Sequence, residues 1–309
     1  MEVVDWLLEA DPATRWQALR DLTDAPNDVV AAERARVATE GWGARLLALR
    51  DPDGQWAGGA CFPAVPPPEP GQPWTSTLPT LDLLRMFGLD PRSDLARETV
   101  TLIAENCRWE HDGQRYFDGE VEPCINGRTV AAGVYFGVDV ADIVERLLGE
   151  PLADGGWNCS TEYGSIRSSY HTTINVLDGL LAYEQATGDA DVRAVRQRGE
   201  EYLLERNLFR RKSTGEVAVG AFLQFSFPTR WFYDVLRTLD YFRAAGDLPD
   251  ERMAEAVQLV RDKRQPDGTW LLENTHPGDV HFELEDGDGL PSRWNTLRAL
   301  RVLRWADGS

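Results

Sequence analysis

The chain has 309 residues, 42% of them hydrophobic and eleven of them tryptophan, which suits a packed core and excludes a disordered segment. Fifty-one acidic against 32 basic residues leave a formal charge of −19, a surface that repels nucleic-acid phosphates and anionic lipid and speaks against both as partners. No apolar run reaches the ~18 residues of a membrane helix, and the opening MEVVDWLLEADP lacks the basic-then-apolar order of a secretion signal, so a cytoplasmic location is expected.

In chain order, Thr14–Asp21 and Val29–Arg50 read as N-terminal helical stretches. A turn follows at Asp51-Pro52-Asp53-Gly54-Gln55-Trp56, then a Pro-rich excursion over Phe62–Pro73, then an apolar helix over Trp74–Phe87. A degenerate turn at His111-Asp112-Gly113-Gln114 precedes a helix over Cys124–Phe136, and Asp154-Gly155-Gly156-Trp157 precedes one over Tyr170–Glu184. A charged helix over Val192–Arg206 leads to a second degenerate turn, Ser213-Thr214-Gly215-Glu216, and to a helix over Pro228–Ala244. Another charged helix over Glu251–Arg264, the turn Gln265-Pro266-Asp267-Gly268-Thr269-Trp270 and a helix over Pro291–Trp305 complete the chain.

The turn glycines recur roughly every 40–60 residues, the span of one helical hairpin. Gly accepts the positive φ of such a turn, while the tryptophan after it offers a wide apolar face to wedge between hairpins. The expected fold is therefore all-α: one domain over residues 1–309, an α/α toroid of about five to six hairpins, with residues 1–50 bracing the ring. Apolar helices such as Tyr170–Glu184 form the inner layer and charged ones the outer layer. Inner helices would run in one direction, so their N-termini gather at one mouth of a central cavity, where polar residues at helix starts would face a ligand.

Three sets of side chains stand at those starts. Cys124, His171 and Glu122 are metal-ligand types, with Cys159 on the turn leading to His171. Arg128, Arg167, Arg230 and Arg293 sit at or beside four of the starts and would grip a phosphate or carboxylate, or else pair with surface acids. Tyr135, Phe136, Tyr170, Phe227, Trp231, Phe232 and Tyr233 would line an apolar pocket, or else pack the core. Cys61 and Cys107 read as buried thiols, and His111, His276 and His281 as loop residues, the last two beside the acidic run Glu283–Asp288.

The Gly-x-Trp turns resemble the repeats of the squalene-cyclase and prenyltransferase superfamily over most of residues 51–305. Glu122-Pro123-Cys124 and Tyr170-His171-Thr172 resemble the Asp-x-Cys and Tyr-His-Thr with which protein prenyltransferase β subunits hold zinc. That resemblance implies zinc on Glu122, Cys124 and His171, with Cys159 as a fourth ligand, and Tyr170, His171 or Glu122 in catalysis. It implies a small-molecule substrate, isoprenoid or otherwise anionic, and leaves the oligomeric state open; by their positions at the helix starts, Arg128, Arg167, Arg230, Arg293, Trp231 and Tyr233 would hold that substrate. Departures are equally clear. Tyr116 and Gly119 fall where that family carries its diphosphate-binding Arg and Lys, no Asp-Asp pair occurs, and the Cys-Gly-Glu-Gln thioester of related toroids is absent. Two other readings therefore stand beside the zinc enzyme: a non-catalytic toroid that binds a ligand or protein, and a carbohydrate-active toroid, for which Glu122 is one suitable carboxylate.

Overall fold

A computed structural model describes residues 2–67, 71–246 and 248–308. The described chain is mostly helical, as expected, and its helices in order are α1 (Val3–Leu8), α2 (Pro12–Leu22), α3 (Asn27–Ala35), α4 (Gly41–Ala48), α5 (Thr77–Phe87), α6 (Asp94–Asn106), α7 (Pro123–Phe136), α8 (Ala141–Gly149), α9 (Tyr170–Thr187), α10 (Ala190–Leu204), α11 (Val235–Ala245), α12 (Ala254–Asp262) and α13 (Arg293–Ala306). Two short strands, β1 (Trp270–Leu271) and β2 (Pro291–Ser292), pair antiparallel. No helix among the described residues is long and apolar enough to cross a membrane. Residues 68–70 of the Pro-rich excursion lie outside the described residues.

The chain falls into two compact units. The first comprises Met1–Arg36, Glu201–His276 and Glu283–Ser309. In it α11 packs on α13, and α2 packs on α1, α3 and α13, around a core holding Trp270, Trp294 and Phe225. Side chains of α13 tie down the N-terminal helices: Arg301 pairs with Asp21 and donates to Gln17 Oε1 (2.9 Å), and Arg304 donates to the Asp21 carbonyl (2.8 Å). Helices α1–α3 thus belong to the first unit, whereas α4 belongs to the second.

The second unit comprises Val37–Glu200 and Pro277–Phe282. Here α5, α7 and α9 are buried around most of their circumference, and α6 and α8 bury one stripe only, such as Ile143, Val144 and Leu147 of α8. An apolar surface on all sides demands neighbours on all sides, so α5, α7 and α9 form the centre of the unit. Helices α7 and α9 approach until backbone meets backbone. A Cβ on Gly127 would lie 2.3 Å from the Asn175 carbonyl oxygen, and one on Gly179 would lie 2.3 Å from that of Gly127. Only glycine permits that crossing.

The recurring turn has one geometry in three places. Gly54, Gly155 and Gly268 have φ of 92°, 95° and 88°. The indole N–H of each following tryptophan donates to a carbonyl ten residues upstream: Trp56 to Leu46 (2.8 Å), Trp157 to Leu147 (3.0 Å) and Trp270 to Val260 (2.7 Å). The backbone N–H of the same tryptophan donates to a threonine at the start of the next central helix: Thr77 (3.3 Å), Thr173 (3.1 Å) or Thr296 (2.9 Å). Each fully buried indole therefore fastens the helix before the turn to the helix after it, with its polar group satisfied.

Some helix limits differ from those read in the sequence. The stretch over Val29–Arg50 is broken by a 3-10 turn at Arg36–Ala38 and by Gly41 with φ of 65°, which separate α3 from α4. The expected helix over Pro228–Ala244 begins only at Val235. Asp234 caps it through the Arg237 N–H (2.7 Å), and Arg230 before the cap has φ of 54°, outside helical space. Pro291–Ser292 is strand, not helix, because it pairs with Trp270–Leu271.

Candidate metal centre

Glu122, Cys124 and Cys159 bring one carboxylate oxygen and two sulfurs within 4.8 Å of one another, the single such group of three or more ligand types among the described residues. All three side chains are half-buried in the second unit. Glu122 is the N-cap residue of α7, yet its carboxylate does not cap the helix; it lies 3.5 Å from Cys124 Sγ in the first turn. Pro123 between them is pre-set for the first helical position.

Cys159 reaches the same point from another element. The buried Trp157 turn fixes the chain between α8 and α9, and Asn158 then folds the next loop on itself. Its side chain accepts from the Ser160 N–H (2.8 Å) and donates to the Arg167 carbonyl (2.7 Å). The Cys159 N–H donates to Thr172 Oγ1 on α9 (3.3 Å), and that hydroxyl donates to Cys159 Sγ (3.4 Å). The outcome is a sulfur 2.9 Å from Cys124 Sγ, although 35 residues separate the two in sequence.

The approach to α7 is held as firmly. The Asn126 side chain accepts from the Glu120 N–H (2.8 Å) and donates to the Glu120 carbonyl (2.6 Å), which also receives Arg146 (2.7 Å). The Glu120 carboxylate in turn accepts the Glu122 N–H at 2.6 Å. Burial first, then the neighbouring Glu122 and Glu162 charges, push the Glu120 carboxyl above the usual range. The nearby Cys159 thiol, burial and the Glu122 charge raise Cys124 well above the thiol range. Among the described residues neither Glu120 nor Glu122 is ion-paired with Arg or Lys. Two carboxyls and two thiols thus crowd one region, where Arg146 reaches the Glu120 carbonyl and not a carboxylate.

The donor set fits zinc. Zinc–sulfur bonds of about 2.3 Å and zinc–oxygen bonds of about 2.0–2.2 Å in a tetrahedron put sulfur and oxygen about 3.5 Å apart and two sulfurs about 3.8 Å apart. The carboxylate–thiol separation of 3.5 Å matches. The sulfurs, at 2.9 Å, would have to part by about 0.9 Å.

The other sequence-derived residues are distributed differently. His171 and Tyr170 occupy the first turn of α9, next to Thr172, but the His171 ring is not one of the clustered ligand groups. The Arg128 guanidinium is committed to Asp82, with a 2.5 Å buried contact between α7 and α5. Arg167 is exposed on the loop between Cys159 and α9. Arg230 and Arg293 belong to the first unit, where Arg293 donates to the Trp6 carbonyl and stacks its guanidinium over the Trp6 ring at 4.5 Å. Tyr233 is core there, donating to the Leu208 carbonyl, and Trp231 stacks on Phe232 (3.8 Å), which stacks on His276 (3.9 Å). His281 Nε2 meets Thr80 Oγ1 at 2.9 Å in the second unit. Cys61 and Cys107 are buried thiols, each pushed up to about 12 by burial.

Sequence reasoning missed Glu120 and Thr172, which position the ligands without being ligand-like at helix starts. The signal for Glu120 was its place two residues before Glu122. No protein-family model matches the chain, and no curated protein matches it.

Proposed function

We propose that the chain is a zinc-dependent enzyme, in which Glu122, Cys124 and Cys159 are the metal ligands. The observation that carries this reading is the convergence of one carboxylate and two thiols from two separate elements within 4.8 Å. Three protein ligands are the mark of a catalytic zinc, which keeps its fourth position for water or substrate. Zinc bound there would lower the pKa of a coordinated water or thiol and present the conjugate base as a nucleophile. Two thiolates and a carboxylate outweigh the charge of one zinc ion, so an anionic substrate group is directed away from the metal and onto a cation.

Arg167 supplies that cation, on the loop that links Cys159 to α9. Tyr170 and His171, in the first turn of α9, exchange protons with the substrate, and Thr172 and Glu120 hold the ligands in place. The architecture is that of an α/α toroid similar to prenyltransferases and terpenoid cyclases, and the substrate is a partly apolar, anionic small molecule. The three identically bonded Trp turns support that architecture. The departures from prenyltransferases in the sequence support a reaction of its own kind.

Element-resolved analysis of protein purified without added metal tests the reading. About one zinc per chain is expected, lost in Cys124→Ser and in Cys159→Ser and weakened in Glu122→Gln. His171→Ala should keep its zinc, since the ring lies outside the ligand group. Metal-free folded protein, or full zinc content in both cysteine variants, would overturn it.

A further inference from the structure

We infer that Cys124 and Cys159 are also a modification site: they form an intramolecular disulfide by exchange with a low-molecular-weight disulfide such as oxidised glutathione. Their sulfurs lie 2.9 Å apart, nearer than ordinary non-bonded contact. Two states fit that approach. A metal ion parts the sulfurs by about 0.9 Å, as above, and a covalent bond of about 2.05 Å closes them by a similar distance. The reduced pair stands about midway between the two states.

Exposure favours exchange at this pair over the other cysteines. Cys124 and Cys159 are half-buried, whereas Cys61 and Cys107 are buried and far less accessible to a peptide-sized reagent. Cys124 sits on the first turn of α7 and Cys159 opens a short 3-10 helix, Cys159–Tyr163, beyond the Trp157 turn, so the two thiols come from separate elements. The chemistry balances. The thiolate of one cysteine attacks a sulfur of the reagent, forming a mixed disulfide and expelling one glutathione thiolate. The second cysteine attacks the protein sulfur of that mixed disulfide, forming the Cys124–Cys159 bond and expelling the second. Two electrons pass to the reagent, and the two protein thiol protons end on two glutathione molecules.

Oxidation would consume two of the three proposed zinc ligands, so oxidation and metal binding exclude each other. This last step rests on the zinc reading; the disulfide itself does not.

The test uses the full chain, stripped of metal with a chelator, incubated with oxidised glutathione, quenched with an alkylating agent and mapped by non-reducing peptide mass spectrometry. A cross-linked peptide pair carrying Cys124 and Cys159 is expected, with Cys61 and Cys107 alkylated only after unfolding. In a parallel arm, zinc at about a hundred times its dissociation constant should slow cross-linking about a hundredfold, since only about 1% of sites stay open. Cross-linking with zinc protection supports both conclusions. Cross-linking at an unchanged rate with zinc keeps the disulfide and removes the metal reading. Stable glutathione adducts without a cross-link, oxidation centred on Cys61 or Cys107, or no reaction would overturn the disulfide proposal.

Discussion

Gly179→Ala is the most direct probe of how the fold builds the site. Alanine is the better helix former by about 1 kcal/mol, so an unconstrained helix would gain stability from the change. Here the new methyl would lie 2.3 Å from the Gly127 carbonyl oxygen and 3.0 Å from the Gly127 Cα and carbonyl carbon. The obstacle is backbone and cannot rotate away, so α7 and α9 must separate by about 1 Å, a gap at which packed atoms forfeit a quarter to a half of their attraction. Overpacking of this kind costs about 1–3 kcal/mol, and a backbone obstacle sits at the upper end. After the propensity gain, a net loss of about 2 kcal/mol is expected. Urea unfolding measures it, with Gly149→Ala as internal control, because a Cβ at that end of α8 meets nothing within 4 Å. Equal stability of Gly179→Ala and Gly149→Ala would refute the claim that backbone contact fixes these two helices.

Thr173→Val removes the acceptor of the buried Trp157 N–H and should cost about 1–3 kcal/mol in urea unfolding, as should Thr296→Val beneath Trp270. Arg196→Met takes a buried partner from the carboxylates of Glu184 and Glu200 and should cost about 3 kcal/mol near neutral pH. Burial alone would raise the Glu184 carboxyl, but Arg196 and Arg193 outweigh it and hold it below its ordinary value. Its contribution is therefore complete above the unfolded carboxylate range and is lost as pH falls through and below that range, so the acid limb of a stability–pH curve should move to higher pH in Arg196→Met. Zinc binding should release at least one proton near neutral pH, because Cys124 is held protonated in the metal-free site. Titration calorimetry in buffers of different ionisation enthalpy reads that number, and release of none would contradict Cys124 as a ligand.

The turn chemistry was legible in the sequence because it is local: Gly54, Gly155 and Gly268 each stand where the backbone needs a positive φ, and a tryptophan two residues later supplies the anchor in each case. Central helices such as α7 and α9 were legible from continuous apolar runs. Their precise starts were less so, since Asp234 and Ser292 set the beginnings of α11 and α13 by capping, inside stretches that look helical throughout. At the site, Glu122 and Cys124 could be placed together because one helix start carries both. Arg128 looked like a mouth residue at the same helix start, but its partner Asp82 is 46 residues away, and only the packing of α5 against α7 brings them together. The place of Cys159 beside Cys124 depends on the loop that Asn158 closes, a contact with no periodic trace in the sequence.

The electrostatics of the site decide what it can hold. Among the described residues Glu120 and Glu122 have no Arg or Lys in an ion pair, whereas the buried acids Asp82 and Glu184 of the same unit are matched to arginines. Removing carboxylates from water costs free energy unless a partner charge offsets it. Burial raises the Glu120 carboxyl, and the Cys159 thiol and burial raise Cys124. A divalent cation offsets the same cost for Glu122 and for both sulfurs at once, whereas an anionic substrate placed directly on these groups would add to it. The arrangement therefore suits a metal cation better than an anion as its occupant.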